Sequence, residues 1–129
     1  MSVYQTLTIH TMTDVIHARN EVREAARRIG LDTRKQALIS LATSFLFDAL
    51  GWGTGQAGGT ITIEYLSGDM DKGLRVVYAF KTSKNAELVA GLTEGVRWMV
   101  DALEISDTAG DQVEVALIKW ANGGGNHDQ

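Results

Sequence analysis

The chain has 129 residues, 44% of them hydrophobic and 22% charged, which predicts a single globular domain over residues 1–121 rather than a disordered chain. Its formal net charge of −4 argues against nucleic acid or an anionic membrane as the main partner, and the absence of cysteine excludes disulfides, thiol catalysis and thiolate metal sites. No segment approaches the roughly 20 apolar residues of a membrane span, so the expected location is the cytoplasm.

The first half of the chain predicts a strand followed by two helices. Residues 3–10 alternate between apolar and polar side chains, as a strand does. A first helix is predicted from an N-cap at Thr13 to a C-cap at Gly30, with one apolar stripe. A second helix, capped by Asp32 or Thr33, is predicted to run to about Leu50. It is apolar nearly all round, so we expect it to be covered on more than one face.

The second half predicts a hairpin, a third helix and a closing strand. The segment 51–59 contains five glycines and is predicted to be a loop. Two strands follow at 60–66 and 74–81, joined by the turn "SGDMDKG". A helical pattern then covers about 85–103, and "VEVALIKW" at 113–120 reads as the final strand.

This order of elements, β-α-α-β-β-α-β, predicts the fold class. We expect a two-layer α/β (α+β) sandwich in which a mixed, mostly antiparallel sheet carries its helices on one face. Residues 122–129 are predicted to form a disordered tail.

Local motifs give few candidates for chemistry. The three histidines, at positions 10, 17 and 127, have no second ligand at metal-binding spacing, so we expect surface residues rather than a metal site. The glycine-rich "GWGTGQAGG" lacks the Lys-Ser/Thr pair of a P-loop and favours a connector over a ligand-contacting loop. The arginines of the first helix are most simply a solvated face, although arginine also suits an acidic partner.

Several strings in order resemble one known family. These are "DVIHARNEVREAARRIGLD", "QALISLATS", "GTITIEYL", "KGLRVVYAF", "GLTEGVRWMVDALEI" and "GDQVEVALIKW". Together they cover nearly the whole chain and are similar to the switch-protein serine kinases and anti-sigma factors, small single-domain GHKL ATPases of bacterial partner-switching pathways. The resemblance implies a GHKL-like fold, an ATP site and binding of regulatory proteins.

The chain departs from the family where the family binds nucleotide. The resemblance places Phe45 and Ala49 where the family carries its catalytic Glu base and its magnesium-binding Asn. Phe80 stands where an Asp would recognise adenine, and the lid before Gly91 is shortened, without a Gly-x-Gly. These departures favour a protein with no catalytic residue and no bound cofactor. We expect Phe45 and Phe80 to fill the space that a nucleotide would occupy.

A shift of one residue along the second helix leaves an alternative open. It would bring Ser44 and Asp48 to the two positions, and Asp48 could then ligate magnesium. This shift would turn the helix by about 100° and would not change Phe80. An active ATP- and magnesium-dependent serine/threonine kinase, or an ATP-gated anti-sigma factor, is therefore the alternative function.

The preferred interpretation is a regulator that acts by protein-protein contact. The resemblance implies a sigma factor, an antagonist protein or a signalling scaffold as partner, and it selects Arg19, with Arg23 one turn further along, as partner-binding residues. A homo-oligomeric assembly subunit is the remaining alternative.

Overall fold

The structure is a computed structural model that describes residues 2–52, 54–81, 86–107 and 112–122. Its helices and strands follow one another in the order β1 (Ser2–Thr11), α1 (Met12–Ile29), α2 (Thr33–Leu50), β2 (Thr54–Gly68), β3 (Asp71–Lys81), α3 (Ala86–Thr93), a 3₁₀ helix (Glu94–Met99), β4 (Ala102–Asp107) and β5 (Gln112–Trp120). The tail predicted from residue 122 lies, apart from Asn122 itself, outside the described residues, as does His127.

The five strands form one antiparallel sheet in the order β1-β2-β3-β5-β4. Tyr78 on β3 is paired with Ile61 on one side and with Val115 on the other, and all three side chains are fully buried. Helix α1 packs on strands β1, β2 and β3, while α2 packs on α1 and on the 3₁₀ helix. The predicted α/β sandwich with a mostly antiparallel sheet is confirmed.

Helix α1 begins two residues earlier than predicted. Its N-cap is Thr11, not Thr13, because the Thr11 hydroxyl accepts from the backbone N–H of Asp14 at 3.1 Å. The Asp14 carboxylate accepts in return from the backbone N–H groups of His10 and Thr11, which lowers its pKa. The predicted apolar stripe is confirmed by buried Ala18, Val22, Ala25 and Ala26, and Gly30 ends the helix at a φ of 100°.

Helix α2, unlike α1, has the predicted bounds. Asp32 is its N-cap and accepts from the backbone N–H of Lys35 at 2.8 Å, and Gly51 closes it with a φ of 72°. The glycine content predicts a loop after this helix. The described part of the segment is a strand instead, because β2 begins at Thr54. Glycine allows this extension, since a Cβ on Gly58 would lie 2.2 Å from the Ile9 carbonyl oxygen of β1.

The third helix is much shorter than the predicted span of 85–103. Helix α3 ends at Thr93, and the chain continues through the 3₁₀ helix into the unpredicted strand β4. The Lys119 ammonium, whose pKa is lowered by burial, donates to the Met99 carbonyl at 3.0 Å where the 3₁₀ helix ends. The backbone N–H of Asp101 then donates to the Ile118 carbonyl of β5 at 2.8 Å, and the chain pairs with β5 from there on. Tertiary contacts with β5 therefore override the helical pattern.

Candidate functional site

Phe45 and Ala49, which the sequence resemblance places at the family's catalytic and magnesium positions, lie on the outer side of α2. Phe45 is 48% exposed, and Ala49 and Asp48 are also exposed. The prediction that the Phe45 ring fills a space between α2 and the sheet is therefore wrong. Neither a phenyl ring nor a methyl group can ligate magnesium or transfer a proton, so these two positions offer no catalytic chemistry.

Phe80, which the sequence resemblance places at the adenine-recognising position, is buried at 6% exposure on β3. Its ring packs edge-on against Trp52, with ring centroids 5.7 Å apart. Gly59 lies next to both residues, since a Cβ there would come within 3.1 Å of the Trp52 ring and 3.0 Å of the Phe80 Cβ. This end of the sheet is closed by aromatic side chains, and Phe80 is buried among them. That its ring occupies the space of a nucleotide stays a prediction.

Four aromatic residues form a cluster here, which we call the aromatic cluster: Phe47, Trp52, Tyr78 and Phe80. Phe47 lies 5.3 Å from Trp52 and 5.7 Å from Tyr78 between ring centroids, the latter pair in a T-shaped arrangement. Trp52 and Tyr78 are also edge-on, at 6.1 Å. Edge-to-face pairs at these distances are favourable beyond the area that they bury. The aromatic cluster thus joins the end of α2 to strand β3.

A chain of hydrogen bonds secures Tyr78 to α2. The Tyr78 hydroxyl donates to the Thr43 hydroxyl at 2.7 Å, and the Thr43 hydroxyl donates to the Ile39 carbonyl at 2.9 Å. Tyr78 and Thr43 are fully buried, and burial raises the pKa of the Tyr78 hydroxyl. The phenol is therefore a structural donor and not an acid at neutral pH.

Sequence reasoning missed Phe47 and Trp52 as the residues that fill this region. Phe47 follows Phe45 by two positions, which corresponds to about 200° around a helix, so one ring faces inward when the other faces out. Trp52 lies inside the glycine-rich run that was interpreted as a connector. A large apolar side chain between glycines was the available signal, since an exposed tryptophan in a linker would be costly.

The residues of the alternative alignment, Ser44 and Asp48, lie at the surface of α2. Ser44 is half-buried beside α1, and Asp48 is exposed. Within the described ranges, no group of three His, Cys, Asp or Glu side chains is placed to hold a metal ion. Gly91 lies exposed on α3, with open space where a Cβ would stand. Most of the predicted lid, residues 82–85 and the side chains up to residue 88, falls outside what the structure describes.

A groove lies between α1 and α2, and we call it the α1–α2 groove. It has a volume of about 310 Å³ and is lined by Arg19, Asn20, Arg23, Ala37, Ser40, Leu41 and Ser44. The structure thus places both predicted partner-binding arginines at one opening in the surface. Their side chains are exposed, one turn apart on the same face of α1.

The arginines of α1 fall into two electrostatic groups. Arg27 and Arg28 both bind the Glu24 carboxylate, and the hydrogen bond from Arg27 is the main reason that the pKa of Glu24 is lowered. Neither Arg19 nor Arg23 forms an ion pair with any residue that the structure describes. The positive charge at the α1–α2 groove is therefore left uncompensated by the described side chains around it.

Among the described residues, no helix is both long and apolar enough to cross a membrane.

The chain resembles known proteins in sequence and in fold. No protein-family model matches the chain. It is 30% identical to the serine/threonine-protein kinase RsbT of Bacillus subtilis, in an alignment that covers 87% of this chain and 92% of RsbT. Its fold is similar to that of a chain in the crystal structure of the SiaB–SiaC complex from Pseudomonas aeruginosa, with a TM-score of 0.51, 7% identity and coverage of 92% and 91%. The chain belongs to the partner-switching kinase family that includes RsbT.

Proposed function

We propose that this protein is a partner-switching regulator that binds another protein through the face of α1 around Arg19 and Arg23 and works without ATP. The observation that carries the proposal is the burial of Phe80 in the aromatic cluster. Under the alignment, this phenyl ring stands where the family needs a carboxylate to recognise adenine. A phenylalanine offers no acceptor for the adenine amino group.

Two further observations support the absence of nucleotide chemistry. Phe45 and Ala49 supply neither a base nor a magnesium ligand at the aligned positions of α2. Ser44, the first residue of the alternative pair, lines the α1–α2 groove instead. A kinase needs its metal, base and adenine contacts together, and all three aligned positions carry apolar side chains.

The partner-binding half of the proposal rests on the exposed arginines. Arg19 and Arg23 form no ion pair among the described residues, so pairing them with a partner's carboxylates breaks no described contact. Arginine is also enriched among residues that dominate binding energy at protein interfaces. The structural relative was crystallised in a SiaB–SiaC complex, a complex of two proteins, which is consistent with this mode of action.

The nucleotide half is tested by calorimetric titration of the purified protein with Mg-ATP and with Mg-ADP. We expect no binding heat above that of dilution. The Asp48→Ala and Ser44→Ala variants would be titrated in parallel, because they remove the groups that the alternative alignment needs. Tight, magnesium-dependent binding by the unmodified chain would overturn the proposal in favour of an ATP-dependent kinase or ATP-gated anti-sigma factor, and its loss in the variants would assign the site to Ser44 and Asp48.

The partner half is tested by substituting Arg19→Glu and identifying co-purified proteins by mass spectrometry. We expect the variant to lose a sigma factor, antagonist or scaffold protein that the unmodified chain retains, with its thermal stability nearly unchanged. Arg27→Glu is the matched control, since Arg27 lies on the same helix but is paired with Glu24. Equal recovery of the partner with Arg19→Glu would remove this residue from the interface. Light scattering of the free protein would show whether it forms a homodimer.

A further inference from the structure

The α1–α2 groove combines positive charge, neutral polar groups and apolar surface. Two guanidinium groups and the Asn20 amide provide donors along its α1 side, and the hydroxyl groups of Ser40 and Ser44 lie on its α2 side. Among the described residues, no acidic side chain lines it. These donors suit the carboxylate groups of an acidic ligand.

The spacing of the arginines constrains the shape of that ligand. Arg19 and Arg23 are four residues apart on α1, a separation of about 6 Å along the helix axis. Carboxylates four residues apart on a second helix have the same separation. A helix lying along α1 could therefore pair with both arginines at once. A strand could match this separation with carboxylates two residues apart, about 7 Å, but each of its faces presents a single row of side chains, whereas a helix presents two adjacent stripes.

Large apolar side chains are exposed beside the groove. Leu41, on its α2 wall, is 45% exposed, and Phe45, one turn further along α2, is 48% exposed. Ile16 and Met12 are 46% and 54% exposed and precede Arg19 on the same face of α1. Apolar groups at the rim of a charged groove mark a surface that binds a ligand with both acidic and apolar side chains.

We propose that the α1–α2 groove receives an amphipathic helix of the partner protein, with carboxylates four residues apart along one stripe and apolar side chains along the next. The carboxylates pair with Arg19 and Arg23, and the apolar side chains cover Leu41 and Ile16. The inference rests on the proposed function, because it takes the same two arginines as the contact with the partner. It adds the chemistry and the secondary structure of the segment that binds.

The test is an NMR titration of the isotope-labelled full chain with two synthetic helical peptides of about 18 residues, long enough to form a helix. One peptide carries glutamates every four residues with leucines on the adjacent stripe, and the other replaces each glutamate by glutamine. We expect saturable shifts in the α1 and α2 amides around the groove with the first peptide. We expect binding about a hundredfold weaker with the second, because it loses both charge-assisted contacts at about tenfold each.

Three variants sharpen the titration. Arg19→Gln and Arg23→Gln should each weaken the acidic peptide by about tenfold and lower its salt dependence, since each removes one charged pair. Leu41→Ser should weaken both peptides, because it removes apolar contact and leaves the charges in place. Arg27→Gln is the control and should bind like the unmodified chain.

Equal binding of both peptides, shifts confined to the sheet, or no binding at millimolar concentration would overturn the inference. An acidic oligonucleotide of equal charge that shifts the same amides as strongly would also overturn it, because the site would then read charge alone. These outcomes are separable from failure of the proposed function. Loss of the natural partner in Arg19→Glu without peptide binding would keep the partner surface and discard only the helix-binding groove.

Discussion

The inner and outer faces of α2 contain similar residue types but have opposite roles. Phe47 packs into the aromatic cluster at 2% exposure, while Phe45, two residues earlier, is 48% exposed. Thr43 is fully buried, and its hydroxyl accepts one hydrogen bond and donates another, while Ser44 beside it lines the α1–α2 groove. Because one residue turns a helix by about 100°, the same short sequence supplies both a core contact and a wall of the α1–α2 groove. Residue type alone therefore does not reveal which face of the helix is buried and which lines the groove.

The largest effect should come from emptying the aromatic cluster. We expect Trp52→Ala to lower the free energy of unfolding by about 3–5 kcal/mol, because it removes a buried ring that touches Phe47, Tyr78 and Phe80. Chemical denaturation with the variant and the unmodified chain measures the difference. A loss below about 1 kcal/mol would mean that the cluster is not a true core and that the contrast between the two faces is false.

The hydrogen-bonded pair inside the core should show an asymmetry. Thr43→Val leaves the buried Tyr78 hydroxyl without its acceptor, and we expect a loss of about 1–3 kcal/mol. Tyr78→Phe removes the donor together with its need for a partner, and we expect a loss of only about 1 kcal/mol. Denaturation curves of both single variants provide the comparison. The opposite ranking would contradict the donor and acceptor roles assigned to the two hydroxyls.

Alkaline pH should act on the inner face through Tyr78. Burial raises the pKa of this hydroxyl in the folded protein, so above the ordinary pKa of about 10 the unfolded chain releases a proton that the folded chain retains. The unfolded state then binds fewer protons, and stability falls as pH rises, by up to about 1.4 kcal/mol per pH unit. Tyr78→Phe should remove this part of the slope. Equal slopes for the variant and the unmodified chain between pH 9 and 11, roughly the range of free tyrosine ionisation, would refute it.

The smallest effect should come from the outer face. We expect Phe45→Ala to change the free energy of unfolding by no more than about 1 kcal/mol, because about half of the ring already contacts solvent. The same variant should bind the acidic peptide more weakly if the rim of the groove takes part. Measuring both quantities on one variant separates the two roles directly. A stability loss as large as that of Trp52→Ala would show that Phe45 belongs to the core after all.

Local sequence signals predicted much of the architecture. Alternation located β1, apolar runs located β3 and β5, and caps at Asp32 and Gly30 fixed the start of α2 and the end of α1. These features are local, because they depend on backbone conformations that a few neighbouring residues prefer. The candidate site was predicted in part. Arg19 and Arg23 were named as partner residues, whereas the groove that joins them with Ser40 and Ser44 was not.

The errors arose where distant segments decide the outcome. The predicted helix ended at about residue 103, yet residues 102–107 form β4 because β5 offers an edge to pair with and Lys119 binds the end of the 3₁₀ helix. Thr54 begins a strand because glycines let the segment lie close to β1 and β3. Such contacts join residues far apart in the chain, and no local pattern encodes them.

The sequence by itself determined that this protein has an α/β sandwich, that Phe45, Ala49 and Phe80 stand where its family resemblance places nucleotide-binding groups, and that α1 carries a row of arginines. Only the tertiary structure decided that Phe47 and Trp52, rather than Phe45, close the aromatic cluster around Tyr78. It also decided that Arg19 and Arg23 share a groove with α2. The physical reason is that the sequence specifies which side chain stands at each position, whereas its burial depends on which distant elements pack against each helix face.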